Sequence, residues 1–181
     1  TKMTIRLDDA RGEGELPWGT RLPLRPFFGV MGVAPPANWG PISTIQPRAH
    51  GGNIDNKEMV AGTTLFLPIF VDGAHFSAGG CQGDGEVCVT AIETALQGHF
   101  RLTVRDDMSL ALPRAETAEA FITMAFDEDL DDAAKEALRQ MIDLICARSN
   151  LDRAQAYALC SLAADLRVTQ IVNGNKGIHV V

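Results

Sequence analysis

The stretch Gly79-Gly-Cys-Gln-Gly-Asp-Gly-Glu-Val-Cys88 sets two carboxylates, Asp84 and Glu86, among glycines, directly ahead of the apolar run Val87-Cys-Val-Thr-Ala-Ile92. Glycine lets the backbone bend tightly and lets a ligand approach closely. The β-branched run that follows predicts a strand over 87–94 that anchors one end of the loop in the core. Carboxylates held in such a loop can bind a metal ion or move protons.

Outward from this loop the chain keeps the same texture up to residue 126, rich in glycine, proline, β-branched residues and turn signals. Further strands are predicted over 3–7, 22–33, 63–71, 74–78, 99–104 and 120–126. Many short strands between Gly/Pro loops point to an antiparallel sandwich or a barrel-like arrangement. The proline-rich joint over 33–41 reads as an ordered loop or turn, because its prolines cannot donate to a ladder. Residues 11–19 read as another loop.

Residues 127–181 differ. Asp127-Glu-Asp-Leu-Asp-Asp132 offers capping carboxylates to a helix running to Arg148, with Leu130, Ala134, Leu138, Met141, Ile142 and Ile145 at helical spacing. Asp152 caps a second helix predicted through Leu166, its stripe formed by Ala156, Leu159, Cys160 and Ala163. A strand over 168–172 and a turn over 173–177 follow. The expected fold is therefore α+β, mainly antiparallel β, sandwich- or barrel-like, with a C-terminal helical pair. Residues 1–126 form its β-rich region; residues 127–181, the helical pair plus a terminal strand, pack on it as one unit.

Composition narrows the function classes. The chain has 181 residues, long enough for a substantial core, and 46% of them are hydrophobic. With 23 acidic and 16 basic residues its net charge is -7, and no basic stripe interleaved with aromatics suggests a nucleic-acid surface. The longest apolar stretch, 64–71, is broken by Pro68, so no membrane span is expected. The first residues read as neither a signal nor a transit peptide. Cys81, Cys88, Cys146 and Cys160 form no C-x-x-C pair and read as reduced thiols of a cytoplasmic protein.

Several segments resemble the acetamidase/formamidase family in order and spacing. They are Pro26-Phe-Phe-Gly-Val-Met-Gly-Val-Ala-Pro35, Gly51-Gly-Asn-Ile-Asp55, Ala61-Gly-Thr-Thr-Leu-Phe-Leu-Pro68, Gln82-Gly-Asp-Gly-Glu-Val-Cys88 with Thr90-Ala-Ile-Glu93, and Ala156-Tyr-Ala-Leu-Cys-Ser161 with Asp165-Leu-Arg-Val168. The resemblance covers nearly the whole chain. It implies hydrolysis of a short linear amide, formamide- or acetamide-like, to a carboxylic acid and ammonia. It also implies a divalent metal ion, zinc before others, a homo-oligomer, and a β-rich fold with a helical element near the C-terminus. The chain starts where members of the family are well under way, so the resemblance further implies the C-terminal portion of a longer enzyme, with the missing N-terminal portion as a partner. One family feature is absent: a Gly-Asp-x-His-Ala-type stretch before Gln-Gly-Asp-Gly-Glu. Here Phe76-Ser-Ala-Gly79 passes to Gln82 through Gly80 and Cys81 alone.

Amide hydrolysis needs an activated water, charge stabilisation at the carbonyl oxygen and an acid for the leaving amine. A metal-bound water meets the first two needs. Glu86 is the leading metal ligand or general base, with Asp84 beside it on the same side if the segment is extended. Asp55 is the third carboxylate and, with Glu86, a metal ligand. Gln82 is placed to hydrogen-bond the amide as a catalytic or substrate-binding group, and Asn53 to bind or orient it.

Plainer readings stand beside these. Asp84 between glycines also reads as a turn residue bonding its own backbone, and Asp55 as an N-cap for 56–60. His50, His75, His99 and His179 are isolated and read as structural or surface groups, although His50 and His75 fall near the loop. Lys57 reads as a surface residue rather than an oxyanion stabiliser. Two nucleophiles are open as alternatives: Thr1 with its own α-amine, and Cys81 with a histidine, while Cys88 is expected to face the strand interior. A partial or degenerate amidase serving as a non-catalytic binding or scaffold subunit is the alternative function.

Overall fold

Residues 3–181 are described by a computed structural model. In chain order the strands are β1 (Arg6–Asp8), β2 (Glu13–Glu15), β3 (Arg21–Pro23), β4 (Phe27–Gly32), β5 (Gly51–Asn53), β6 (Thr64–Phe66), β7 (Ser77–Gln82), β8 (Arg114–Glu116) and β9 (Phe121–Asp127). Helices α1 (Leu130–Arg148) and α2 (Arg153–Ala163) follow, then β10 (Leu166–Gln170) and β11 (Lys176–Val180). All pairings are antiparallel, in the orders β1-β2-β3, β10-β11-β9-β8-β6 and β5-β4-β7. The class is α+β, as expected. Among the described residues no sheet closes into a barrel.

Side-chain alternation along β9 explains the layering. Thr123 and Ala125 point to one face, where Thr123 Oγ1 donates 2.8 Å to the Ala137 carbonyl of α1. Ala125, Ile178 and Val180 join Ala133, Ala137, Met141 and Leu144 of α1 and Ala156 and Cys160 of α2 in one core. Ile122 and Met124 point the other way, into a second core with Ala115, Ile54, Met59 and Met31 of β4. The five-stranded sheet therefore carries the helices on one face and the β5-β4-β7 sheet on the other.

Both helices start where local chemistry directs. The Asp129 side chain accepts from the Asp131 and Asp132 amides at 2.8 and 3.2 Å, and Asp152 with Gln155 forms a reciprocal capping box. Met141 and Ile142 are buried in α1 as expected, but Ala133, Ala137 and Leu144 complete the buried face, and Leu130, Ala134, Leu138 and Ile145 flank it partly buried. Ala133 and Ala137 are fully buried, and the Thr123 bond to the Ala137 carbonyl sets that turn of the helix against β9. Helix α2 stops at Ala163 instead of Leu166, because Asp165 is drawn into mutual backbone bonds with Val181 at 3.0 Å.

Several expected strands changed. The run 22–33 divides into β3 and β4 around Pro23 and Pro26, which lack the N–H a continuous ladder needs. Within the 11–19 loop only Glu13–Glu15 is a strand, β2, the middle of the β1-β2-β3 meander, and 63–71 shrinks to β6. Residues 87–94 and 99–104 are not strands: Val87, Val89, Phe100, Leu102 and Val104 are exposed, and among the described residues the one ladder contact of either run is the isolated Gln82–Glu93 bridge to the end of β7. Cys88 is accordingly exposed, not interior. The cysteines are all free thiols, with Cys160 buried in the helical core as the apolar stripe predicts. Among the described residues no helix is long and apolar enough to cross a membrane.

Candidate active site

Asp55 is the centre of a buried polar cluster between the two packed sheets. It follows β5 at φ 49°, with its backbone N–H donating 3.0 Å to the Gly29 carbonyl of β4. Its side chain is 1% exposed. Gln82 Nε2, at the end of β7, donates to Asp55 Oδ1 at 2.7 Å, and Asn173 Nδ2 donates to Oδ2 at 2.6 Å. Gly29 makes this approach possible: a Cβ there would stand 2.3 Å from Asp55 Oδ1 and 2.7 Å from Gln82 Nε2. Burial pushes the Asp55 carboxyl up from its ordinary value, against the pull of the two amide donors.

Asn173 arrives from the turn between β10 and β11. Gln170, fully buried, accepts from the Val172 and Asn173 amides at 2.8 and 3.0 Å and donates 2.8 Å to the Asn175 carbonyl. Asn175 Nδ2 in turn donates 3.0 Å to the Pro47 carbonyl. Asn173 Nδ2 also reaches the Asn53 carbonyl at 3.1 Å, so the C-terminal turn is bound to the Gly51–Asp55 segment at several points.

Glu86 lies near the cluster, in the glycine loop, without a hydrogen bond to Asp55, Gln82 or Asn173. Its Oε1 accepts from the Val89 amide at 2.9 Å, and the neighbouring Ile171 N–H donates 3.0 Å to the Val87 carbonyl. Burial first, and then the Asp55 carboxylate, push the Glu86 carboxyl up; Glu93 adds to the rise, as it does for Asp55. Glu93 is bridged to Gln82 across the loop.

The candidates therefore separate. Asp55 and Gln82 come together with Asn173, Glu86 lies near enough for the Asp55 charge to raise its carboxyl without bonding to them, and Asn53 enters through its backbone carbonyl. Asp84 does not share their side, because the loop is not extended: Asp84 Oδ1 accepts 2.8 Å from the Gly85 amide, the turn geometry of its plainer reading. Asp55 caps no helix, since none begins at 56–60. Lys57 is exposed, as expected of a surface residue. Thr1 lies outside the described residues. Two participants were not foreseen. Asn173 sits in Asn-Gly-Asn, which reads only as a turn, and Glu93 sits in a run that reads as a strand.

His179 is 3% exposed on β11, its Nδ1 2.8 Å from Thr169 Oγ1, and burial lowers its pKa to about 4. It is a structural group. Among the described residues no set of three or more His, Cys, Asp or Glu side chains is arranged to hold a metal ion. Both oxygens of Asp55 are already engaged by neutral amide donors. The residues of this chain do not by themselves fit a metal centre.

The model of the Acetamidase/Formamidase family matches residues 37–178. The chain belongs to this family. An acetamidase from Mycolicibacterium smegmatis is 47% identical over 47 residues, which are 24% of this chain and 12% of that protein. The solved acetamidase of Bacillus halodurans superposes with a TM-score of 0.80 at 34% identity, over 93% of this chain and 58% of that one. The Yersinia enterocolitica acetamidase gives 0.81 at 27% identity, over 97% and 53%. This member of the family thus spans little more than half the length of those solved chains.

Proposed function

We propose that this chain contributes the hydrolytic site of an amidase that cleaves the C–N bond of a short linear amide to a carboxylic acid and ammonia. Membership in the acetamidase/formamidase family carries the reading, and the buried Asp55–Gln82–Asn173 cluster, with the Glu86 carboxyl near enough to feel the Asp55 charge, supports it. Glu86, its carboxyl raised by burial and by Asp55, takes a proton from water as general base. The water oxygen bonds to the carbonyl carbon; Glu86 then returns the proton to the nitrogen, and the C–N bond breaks as ammonia leaves. Gln82 has an Oε1 that is buried without a partner, and this acceptor suits an amide N–H of the substrate. Asp55, held by Gln82 and Asn173, fixes the Gln82 amide in orientation. Asn53 acts through its carbonyl, which anchors Asn173. A divalent ion, zinc in the expectation, would take Asp55 and Glu86 as ligands and polarise the carbonyl, but it needs donors beyond these two, so no step is drawn through it.

The proposed setting is cytoplasmic, in keeping with four free thiols, and homo-oligomeric, in keeping with exposed apolar groups on α2 and β10 such as Tyr157, Leu162 and Val168. Polypeptide matching the remainder of the related solved chains is the other proposed partner. The second reading, a non-catalytic subunit, is favoured by one observation: Asp55 is fully engaged by two neutral amides, as a structural carboxylate would be. Ammonia release from formamide and acetamide by the purified protein, with and without that partner polypeptide, decides between them. Release that depends on Glu86 supports hydrolysis; no release in either preparation leaves the subunit reading.

A further inference from the structure

Gln170, the last residue of β10, makes no hydrogen bond to Asp55 or Glu86, yet the connection it braces, residues 171–175, is bonded to the segments of both. It lies just past a register shift in the β10–β11 ladder, opposite Gly177. Irregularities of this kind re-aim a side chain. The Gln170 amide is used at both ends. Its Oε1 accepts from two backbone N–H groups, of Val172 and Asn173, and its Nε2 donates to the Asn175 carbonyl. Those partners fix which end of the amide is oxygen and which is nitrogen. A carboxylate of the same length lacks the donor, and an apolar side chain lacks both functions.

From this braced turn two branches run toward the site. Both side-chain N–H groups of Asn173 meet acceptors, Asp55 Oδ2 at 2.6 Å and the Asn53 carbonyl at 3.1 Å. Two residues earlier, the Ile171 N–H donates 3.0 Å to the Val87 carbonyl, next to Glu86. Among the described residues this is the sole backbone–backbone hydrogen bond made by residues 85–91. The loop that carries Glu86 therefore hangs on the same turn that holds Asp55.

We propose that Gln170 is a positioning residue for the hydrolytic site: by fixing the 171–175 turn it seats Asn173 on Asp55 and Ile171 on the loop that carries Glu86, and so holds the two carboxylates in one relation. Its effect on the rate rests on the hydrolysis reading. The positioning itself does not.

Gln170→Met tests it, because methionine keeps the length and unbranched shape while three backbone groups lose their partner. NMR follows hydrogen exchange of the Ile171 amide and the side-chain N–H signals of Asn173. Ile171 exchange should accelerate about tenfold or more relative to the amides of β9. The Asn173 signals should move toward those of a solvated amide. Thr169→Val is the control for general loosening of β10: it removes the buried Thr169–His179 hydrogen bond and should leave both readouts in place. In a preparation that releases ammonia from formamide, Gln170→Met should lower the rate about tenfold or more, and Thr169→Val should retain it.

If Gln170→Met does not fold, Gln170→Glu carries the same expectation, since its ionised carboxylate accepts from Val172 and Asn173 but cannot donate to Asn175. The wild-type chain supplies a measurement of its own: the Ile171, Val172 and Asn173 amides must be protected from exchange, and rapid exchange there would overturn the proposal. So would a folded Gln170 variant with unchanged signals, or equal changes in Thr169→Val. Absence of ammonia release from the wild type would sink the hydrolysis reading instead, and the Ile171 and Asn173 signals would still decide whether Gln170 positions the turn.

Discussion

Asn173 Nδ2 stands 2.6 Å from Asp55 Oδ2 across 118 residues of sequence. This contact joins the turn after β10 to the segment after β5, and it gives a buried carboxylate one of its two side-chain donors. Removing it leaves an acceptor without a partner. Asn173→Ala is expected to lower the unfolding free energy by about 1–3 kcal/mol, measured by urea denaturation. Asn173→Asp would set a second carboxylate against the first, and its deficit should shrink in acid, where one of the pair is protonated. A deficit that grows in acid would contradict this.

Asp55 and Glu86 both bind protons more tightly in the folded chain than at their ordinary values of 3.8 and 4.5. The folded state therefore holds more protons, and stability falls as pH rises from those ordinary values through the raised folded ones. The penalty is absent below the lower ordinary value and complete above the folded values. Asp55→Asn should flatten this slope, and Gln82 can rotate its amide to offer its unpartnered Oε1 to the new NH2 group. Urea midpoints from about pH 4 to about pH 8 test it; an unchanged slope in the variant would assign the effect elsewhere.

Gly29 faces Asp55 Oδ1 and Gln82 Nε2 with no room for a methyl group. The third neighbour of a Cβ there would be the Gly80 carbonyl at 3.0 Å, which belongs to the paired strand and cannot swing aside. Gly29→Ala is expected to cost about 1–3 kcal/mol through overpacking. It should also displace Gln82, so any amidase activity should fall more than stability alone would account for. Thermal unfolding and ammonia release on the same preparation would show both effects.

Asp84 and Glu86 lie two residues apart but should behave differently. Glu86→Gln removes the proposed base and should reduce ammonia release by about 100-fold or more. Asp84→Asn keeps an acceptor for the Gly85 amide and should change the rate only slightly. Equal losses in the two variants would place Asp84 in the chemistry and count against this division of roles.

The helices were legible because their signals are local. Asp129 lies within three residues of the amides it caps, and Asp152 forms its box with Gln155. Strand β9 was legible because its seven residues form a nearly continuous apolar run, long enough to stand out. Strands β5 and β8 have three residues each, too few to carry one. The run 87–94 failed for the opposite reason: it has strand composition, but only its end finds a partner, through the isolated Gln82–Glu93 bridge, so Val87 and Val89 face solvent while Ile92 is buried.

The sequence by itself determined the α+β class, both helix starts, and the presence of acidic side chains in a glycine-rich loop, because capping, periodicity and composition act between near neighbours. Tertiary structure decided which carboxylates share a site. A loop side chain turns toward whichever partner offers it hydrogen bonds, and Asp55 takes Asn173 from a distant turn while Asp84 takes its own neighbour. Spacing along the chain carries no information about such partners.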